Sequence, residues 1–368
     1  MLKSLKKKEK KVVVLGRGIS GVVLIHRLLQ EGYQVVSIDN EYMQSASRVA
    51  AGLWNPVTFK RLSKSWQADA FIPELYAFYL EVEKRIESKF FYDLPYLKML
   101  HSMQEVNEWE SRNGDEEFNG FFGTVDTEPV KGLRTTEGTG KVYQTGYLDS
   151  EVFIDSSKNY FRSLDEVTVI DATLNQEQVS LTDEGVLVAL NEKTIEADQL
   201  IFANGLGVLG FPYFNWLPFQ AVKGEVLTIE SPRLKSDAII NKGFFVAPLG
   251  SHQYRVGATY SHAELNTVPT ENGKEQLIEK LQSLLDVPFE VIGHRAGVRP
   301  AVKGRKPMIG EHPEHPQLLL FNGMGSKAVM MTPLLSKQFL GWMNGENELW
   351  DEVDVARFYS YFRENQKQ

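Results

Sequence analysis

Gly16-Arg17-Gly18-Ile19-Ser20-Gly21 is a G-x-G-x-x-G set between a run of branched aliphatic residues at 12–15 and an apolar-periodic stretch at 21–30. A glycine turn between strand and helix is built to hold a pyrophosphate. Gly16 permits the tight turn, Gly18 lets backbone approach the phosphates, and Gly21 lets helix and strand pack closely. The helix start at Ile19 and Ser20 supplies oriented N–H groups and positive partial charge. Asp39 lies 23 residues after Gly16, at the end of the next strand-like run, 34–38. A carboxylate there accepts hydrogen bonds from both ribose hydroxyls of an adenosine and repels a 2′-phosphate. The expected ligand is therefore FAD or NAD, not NADP.

Other chemistries are missing from the sequence. It has no cysteine, so thiolate metal sites, disulfides, cysteine nucleophiles and a thioether-linked flavin are excluded. His101, His262, His294, His312 and His315 have no metal-ligand spacing, and no metal is expected. His26 falls inside the helix after the glycine turn and reads as structural. No nucleophile elbow, Walker loop or triad pattern is present. Redox chemistry would have to come from a bound cofactor.

Further segments follow in order: SRVAAGLWNP at 47–56, IFANG at 201–205, AVKGE at 221–225, RVGATY at 255–260, GVRPAVKGRKPMIG at 297–310 and NGMGSKAVMMTP at 322–333. With the glycine turn they make the chain resemble, over nearly its full length, the D-amino acid oxidase family of FAD-dependent oxidoreductases, which includes glycine and sarcosine oxidases. The resemblance implies non-covalent FAD held also by Ser47, Ala50, Ala51, Gly52, Ala203, Gly205, Gly323, Gly325, Ser326 and Lys327. It implies that Arg299, in the G-x-R-P motif, pairs with a substrate carboxylate, which a guanidinium fork fits in bidentate fashion. Arg255 falls where sarcosine oxidase-like members carry a lysine that helps the flavin react with oxygen. The implied reaction is oxidation of a C–N bond by hydride transfer to flavin N5, giving an imine that water hydrolyses.

The pattern also departs from the family. Glycine oxidase-like members carry a second arginine where this chain has Ser326. The stretch GMGSKAVMMTP is similar to the oxidase half of the bifunctional enzyme that matures a wobble uridine of transfer RNA, which points to a secondary-amine substrate. No methyltransferase half accompanies it in this sequence, and its body is acidic, which argues against nucleic acid as partner. The expected partners are a small amine or amino acid and oxygen or another electron acceptor. The alternatives kept open are a transfer RNA modification oxidase and an NAD-dependent dehydrogenase.

The elements that must position these residues read as α/β. Strands are expected at 12–15, 34–38, 167–170, 186–190, 199–202, 221–229, 243–247, 253–259 and 318–321. Helices are expected at 21–30, 68–86, 275–285 and 333–343, and 113–146 reads as loops and short strands. The predicted fold is a Rossmann-type FAD/NAD(P)-binding domain (1–60, 145–210 and 295–368) interleaved with a substrate domain on a mixed sheet (61–144 and 211–294). The 368 residues carry a formal charge of −8, of which Lys3, Lys6, Lys7, Lys8, Lys10 and Lys11 against Glu9 contribute +5. That tail reads as a solvated terminus. No apolar run is long enough to span a bilayer and no signal-peptide pattern opens the chain, so a cytoplasmic protein is expected.

Overall fold

The computed structural model describes residues 10–41, 45–118, 120–190 and 192–366. Most of the lysine-rich tail lies outside them. The chain divides into two compact units. The first comprises Met1–Met43, Glu151–Ala221 and Arg299–Gln368, and the second Gln44–Ser150 and Val222–Val298.

The first unit is built on a six-stranded sheet in the order Val167–Asp171, Gln34–Asp39, Lys11–Leu15, Gln199–Phe202, Leu318–Asn322, Met308–Glu311. All neighbours are parallel except the last pair. The run Val12-Val13-Val14-Leu15 is buried on both faces, as an internal parallel strand requires. Val13 and Leu15 join a core with Val36, Phe202, Phe214 and Trp216. Two helices of this unit, Ile19–Gln30 and Ala328–Met343, pack on each other. His26 is buried in the first of them, bonded to Ser157 Oγ at 2.9 Å and ringed by Phe153, Tyr160 and Phe161.

The second unit carries a mixed eight-stranded sheet in the order Glu290–Arg299, Val222–Glu230, Gln253–Gly257, Phe245–Gly250, Ile239–Asn241, Tyr96–Leu100, Gly138–Val142, Phe122–Asp126. The Ile239–Asn241 and Tyr96–Leu100 pair is parallel. Leu277, Leu281 and Leu284 of the helix Glu271–Leu284 bury against Leu227, Ile229, Tyr254 and Val256 of the sheet. The long amphipathic helix runs from Ala68 to Ile86 with Phe71, Leu75, Phe78, Tyr79 and Val82 buried.

The first helix begins two residues before its apolar periodicity, at Ile19, and two others begin four or more residues earlier. Thr270 caps the helix Glu271–Leu284 by accepting from Gly273 N at 3.0 Å, and polar residues fill its first turn. The helix expected to start at Pro333 starts instead at Ala328, with Pro333 inside it. Proline removes one N–H from the ladder, while the Thr332 hydroxyl donates to Ala328 O at 2.8 Å. The segment 113–146, read as loops and short strands, supplies the strands Phe122–Asp126 and Gly138–Val142 and the start of Gly146–Leu148. Its glycines mark close packing: Trp109 covers the position a Cβ on Gly140 would take.

Candidate functional site

The glycine turn sits at the C-terminal end of the central strand Lys11–Leu15. Gly16 has φ +104°, and a Cβ there would lie 2.7 Å from both Ala203 O and Asn204 Cα. A Cβ on Gly21 would collide with the Gly16 carbonyl. Both glycines are therefore fixed by backbone contact as well as by conformation. Gly18 is the N-cap residue of the helix Ile19–Gln30 and gives it no side-chain cap. The N-terminal end of that helix presents oriented N–H groups and positive partial charge at the turn.

Asp39 closes the neighbouring strand beside this turn. Its Oδ2 accepts from Arg17 N at 2.7 Å and its Oδ1 from Glu41 N at 2.6 Å. A carboxylate has about four acceptor sites, so Asp39 keeps capacity for ligand hydroxyls while its orientation is fixed.

Arg17, the variable residue between the first two glycines, holds a position that sequence reasoning passed over. Its side chain is buried, and the guanidinium donates to Ser37 O at 3.0 Å and Ile170 O at 3.1 Å and pairs with Asp171. Asp171 is shared with Lys158 at 3.0 Å and Arg162 at 2.6 Å, and Lys158 also pairs with Glu41. Burial works against ionised Asp171, but the Lys158 hydrogen bond and the three nearby positive charges hold its carboxyl below the usual range. Burial is also the main cause lowering Arg17, opposed by Asp39 and Asp171. The only sequence signal was an arginine inside a motif that buries its neighbours.

On the other side of the central strand, Ala203 N donates to Leu15 O at 2.8 Å. Gly205 and Gly323 are tied together by Asn322, whose Nδ2 donates to Gly205 O at 2.9 Å while its Oδ1 accepts from Gly323 N at 2.8 Å. The structure thus brings Gly16, Gly18, Ile19, Ser20, Gly21, Asp39, Ala203, Gly205 and Gly323 to one edge of one sheet. Gly325, Ser326 and Lys327 follow as a turn of 3-10 helix before the helix Ala328–Met343. Burial, and then the Lys306 charge, push the Lys327 ammonium down to about 8.

In the second unit, Ser47 lies in the short helix Ala46–Val49, which Ala50 ends as its C-cap and Ala51 follows. Gly52 has φ +65°, and a Cβ there would strike the Leu148 carbonyl, whose residue returns a hydrogen bond from its N to Gly52 O at 3.0 Å. Arg255 is central in the sheet, flanked by Thr228 and Ala247, and its Nη1 donates to Val49 O at 3.4 Å. Its neighbours Tyr254 and Val256 point into the apolar core, so Arg255 projects from the opposite face. Arg299 ends the strand Glu290–Arg299, half-buried, and Ala301 N donates to its carbonyl at 2.9 Å. Trp54 is core, stacked on Phe91 at 4.4 Å. Tyr260 is 65% exposed, edge-on to His262. Among the described residues no group of three or more His, Asp or Glu side chains gathers as a metal site, and no helix is long and apolar enough to cross a membrane.

A family of FAD dependent oxidoreductases, DAO, matches residues 11–340. A tRNA 5-methylaminomethyl-2-thiouridine biosynthesis bifunctional protein, MnmC, of Legionella pneumophila (strain Corby) is 23% identical over 402 aligned positions, covering 96% of this chain and 58% of that protein. The chain thus spans little more than half the length of that relative. Glycine oxidase of Bacillus licheniformis is 28% identical over 145 positions, covering 38% of this chain and 39% of that one. The crystal structure of glycine oxidase from Geobacillus kaustophilus superposes with a TM-score of 0.78 at 17% identity, over 93% of this chain and 97% of that one.

Proposed function

Given that this chain belongs to the DAO family of FAD dependent oxidoreductases, we propose that it oxidises the carbon–nitrogen bond of a small amine or amino acid. The cofactor is FAD, and the turn, uncapped helix start and Asp39 fit its adenosine diphosphate half. That cradle, in a chain of this family, is the observation that carries the reading. The substrate's C–N bond becomes an imine, which water cleaves. FAD, when bound, supplies the two-electron oxidation.

The rest falls to the chain's own residues. Gly16 to Gly21 receive the pyrophosphate and Asp39 the ribose hydroxyls. Ser47, Ala50, Ala51, Gly52, Ala203, Gly205, Gly323, Gly325, Ser326 and Lys327 complete the cofactor contacts. In this reading the first unit is the FAD-binding part and the second the substrate part. Arg299 anchors the substrate carboxylate and Arg255 supplies a fixed positive charge for the electron acceptor. No side chain need serve as an obligatory base, because the neutral amine is the reactive form.

The test is anaerobic mixing of the purified yellow protein with a panel of primary and N-substituted amino acids. Bleaching of the long-wavelength flavin band by one of them supports the reading; indifference to all of them sinks it. Reoxidation by oxygen with peroxide release, against reduction of an artificial dye, separates oxidase from dehydrogenase. A second reading, oxidation of a modified wobble uridine in transfer RNA, is favoured by similarity to the bifunctional protein along 96% of this chain. A transfer RNA bearing carboxymethylaminomethyluridine in the same panel separates the two: bleaching by it alone favours the second.

A further inference from the structure

Asn204 follows the strand Gln199–Phe202, immediately beside the glycine turn, and its side-chain Oδ1 is buried with no hydrogen-bond partner among the described residues. We propose that this oxygen is a ligand of the flavin half of the cofactor, accepting a hydrogen bond from a hydroxyl of the ribityl chain. The inference rests on FAD being the cofactor, and three observations support it.

The first is chemical. Buried side-chain oxygens in folded proteins nearly always have a donor, because an unmet acceptor keeps its full desolvation cost. One strand further on, Asn322 shows the satisfied case, with both ends of its carboxamide bonded to backbone. Asn204 Oδ1 has no such donor among the described residues. Phosphate oxygens are acceptors and cannot fill the role, so the partner carries an O–H or N–H.

The second is topological. Asp39 ends the strand on one side of Lys11–Leu15, and Asn204 follows the strand on the other side. With the adenosine ribose at Asp39 and the pyrophosphate at the Gly16 turn, a dinucleotide crossing that sheet edge brings its second half to Asn204. In FAD the hydroxyl-bearing part next to the pyrophosphate on that side is the ribityl chain.

The third is proximity. A Cβ on Gly16 would lie 2.7 Å from Asn204 Cα, so the backbone of Asn204 abuts the turn that is to hold the ligand.

The test compares affinities on flavin-stripped protein, titrated with FAD and, in competition, with ADP, which has the adenosine and pyrophosphate but no ribityl chain. Asn204→Leu keeps the size and removes the acceptor. It should raise the FAD dissociation constant about tenfold, the effect of one neutral hydrogen bond together with its unmet partner. ADP affinity should change less than about twofold on the same scale. Asn204→Asp keeps an acceptor, and although its charge opposes both ligands, it should leave the ratio of the two affinities close to wild type. Equal losses for FAD and ADP in the leucine variant, or no loss for either, overturn the role of Asn204. The second outcome means that water fills the position. Wild-type stripped protein that binds ADP but gains nothing from FAD refutes the underlying FAD reading instead. Should the leucine variant not fold, the aspartate variant decides alone, since a shifted ratio there counts against the proposal.

Discussion

Arg17 and Asp39 are joined through the backbone: the Arg17 N–H donates to Asp39 Oδ2 at 2.7 Å, while the Arg17 guanidinium reaches across the sheet edge to Asp171. One residue thus ties the glycine turn to the ends of two neighbouring strands. The acidic residue proposed to meet the ribose is oriented by the same turn that is proposed to meet the pyrophosphate.

Asp39→Ala removes both the ribose acceptor and this tie. FAD affinity should fall by about 1.5–3 kcal/mol, the range for charge-assisted hydrogen bonds, while the thermal midpoint of flavin-free protein falls only modestly. Titration of flavin-stripped protein measures the first effect and a melting curve the second. Unchanged affinity would remove Asp39 from the cofactor site.

The glycine turn was legible because its residue types are dictated by backbone geometry that no other residue tolerates, as the contacts of Gly16 with Ala203 and Asn204 show. Asp39 was legible through spacing alone. Arg17 and Asn204 were not, because their roles depend on which strands flank Lys11–Leu15, and strand order is a long-range property. Pairing of residue 12 with residue 199 leaves no local trace. The strand Glu290–Arg299 was missed for a different reason: Val291 and Ile292 are adjacent, and the burial alternation of residues 290–293 is lost beyond Gly293, so the two-residue period of a half-buried strand is not sustained.

Lys327 yields a pH prediction. Its ammonium is pushed down to about 8 by burial and by Lys306, so the folded protein disfavours the charged form. If Lys327 contacts FAD, the cofactor's negative charge favours that form and binding takes up a proton. FAD affinity should then fall as pH rises through about 8, and Lys327→Met should abolish this dependence. A wild-type affinity flat from pH 7 to 9, on the scale set by that shift, would place Lys327 away from the cofactor.

His312 yields a stability prediction. It is buried beside Tyr213, Phe214 and Phe362 and stacked on His315 at 4.9 Å. Burial first, then the His315 charge, push its pKa down to about 4, against the opposing pull of Glu314 and a Tyr213 backbone bond. A histidine depressed in the folded state binds its proton more readily when unfolded. Its contribution is complete above about pH 6.5 and is lost as pH falls from there towards 4. The loss is on the order of 3 kcal/mol. His312→Gln cannot titrate and should flatten the dependence relative to wild type, a difference in which the neighbouring Glu311 cancels. Parallel urea denaturation of both proteins between those limits checks it, and coincident slopes would show that His312 does not titrate on unfolding.

Arg299 is the proposed anchor of the substrate carboxylate. It ends a ten-residue strand and is followed at once by Pro300, which fixes φ near its own ring value and stiffens the chain beyond. A planar guanidinium fork is suited to a carboxylate. Arg299→Lys keeps the charge and loses the fork, and Arg299→Ala loses both, so reduction of the bound flavin by a carboxylate-bearing amine should weaken in that order. Loss of a buried charge-assisted contact costs about 2–5 kcal/mol, so the alanine variant's apparent substrate constant should rise well over tenfold. FAD content should hold, because the residues proposed to grip the pyrophosphate and ribose are elsewhere in the sequence. The control is a matched amine lacking the carboxylate. It should reduce wild type and the alanine variant with similar constants, because the contact removed from one was never made by the other. Equal losses for both amines would indicate damage to the pocket, and a wild-type constant for the carboxylate substrate would leave Arg299 a purely structural residue.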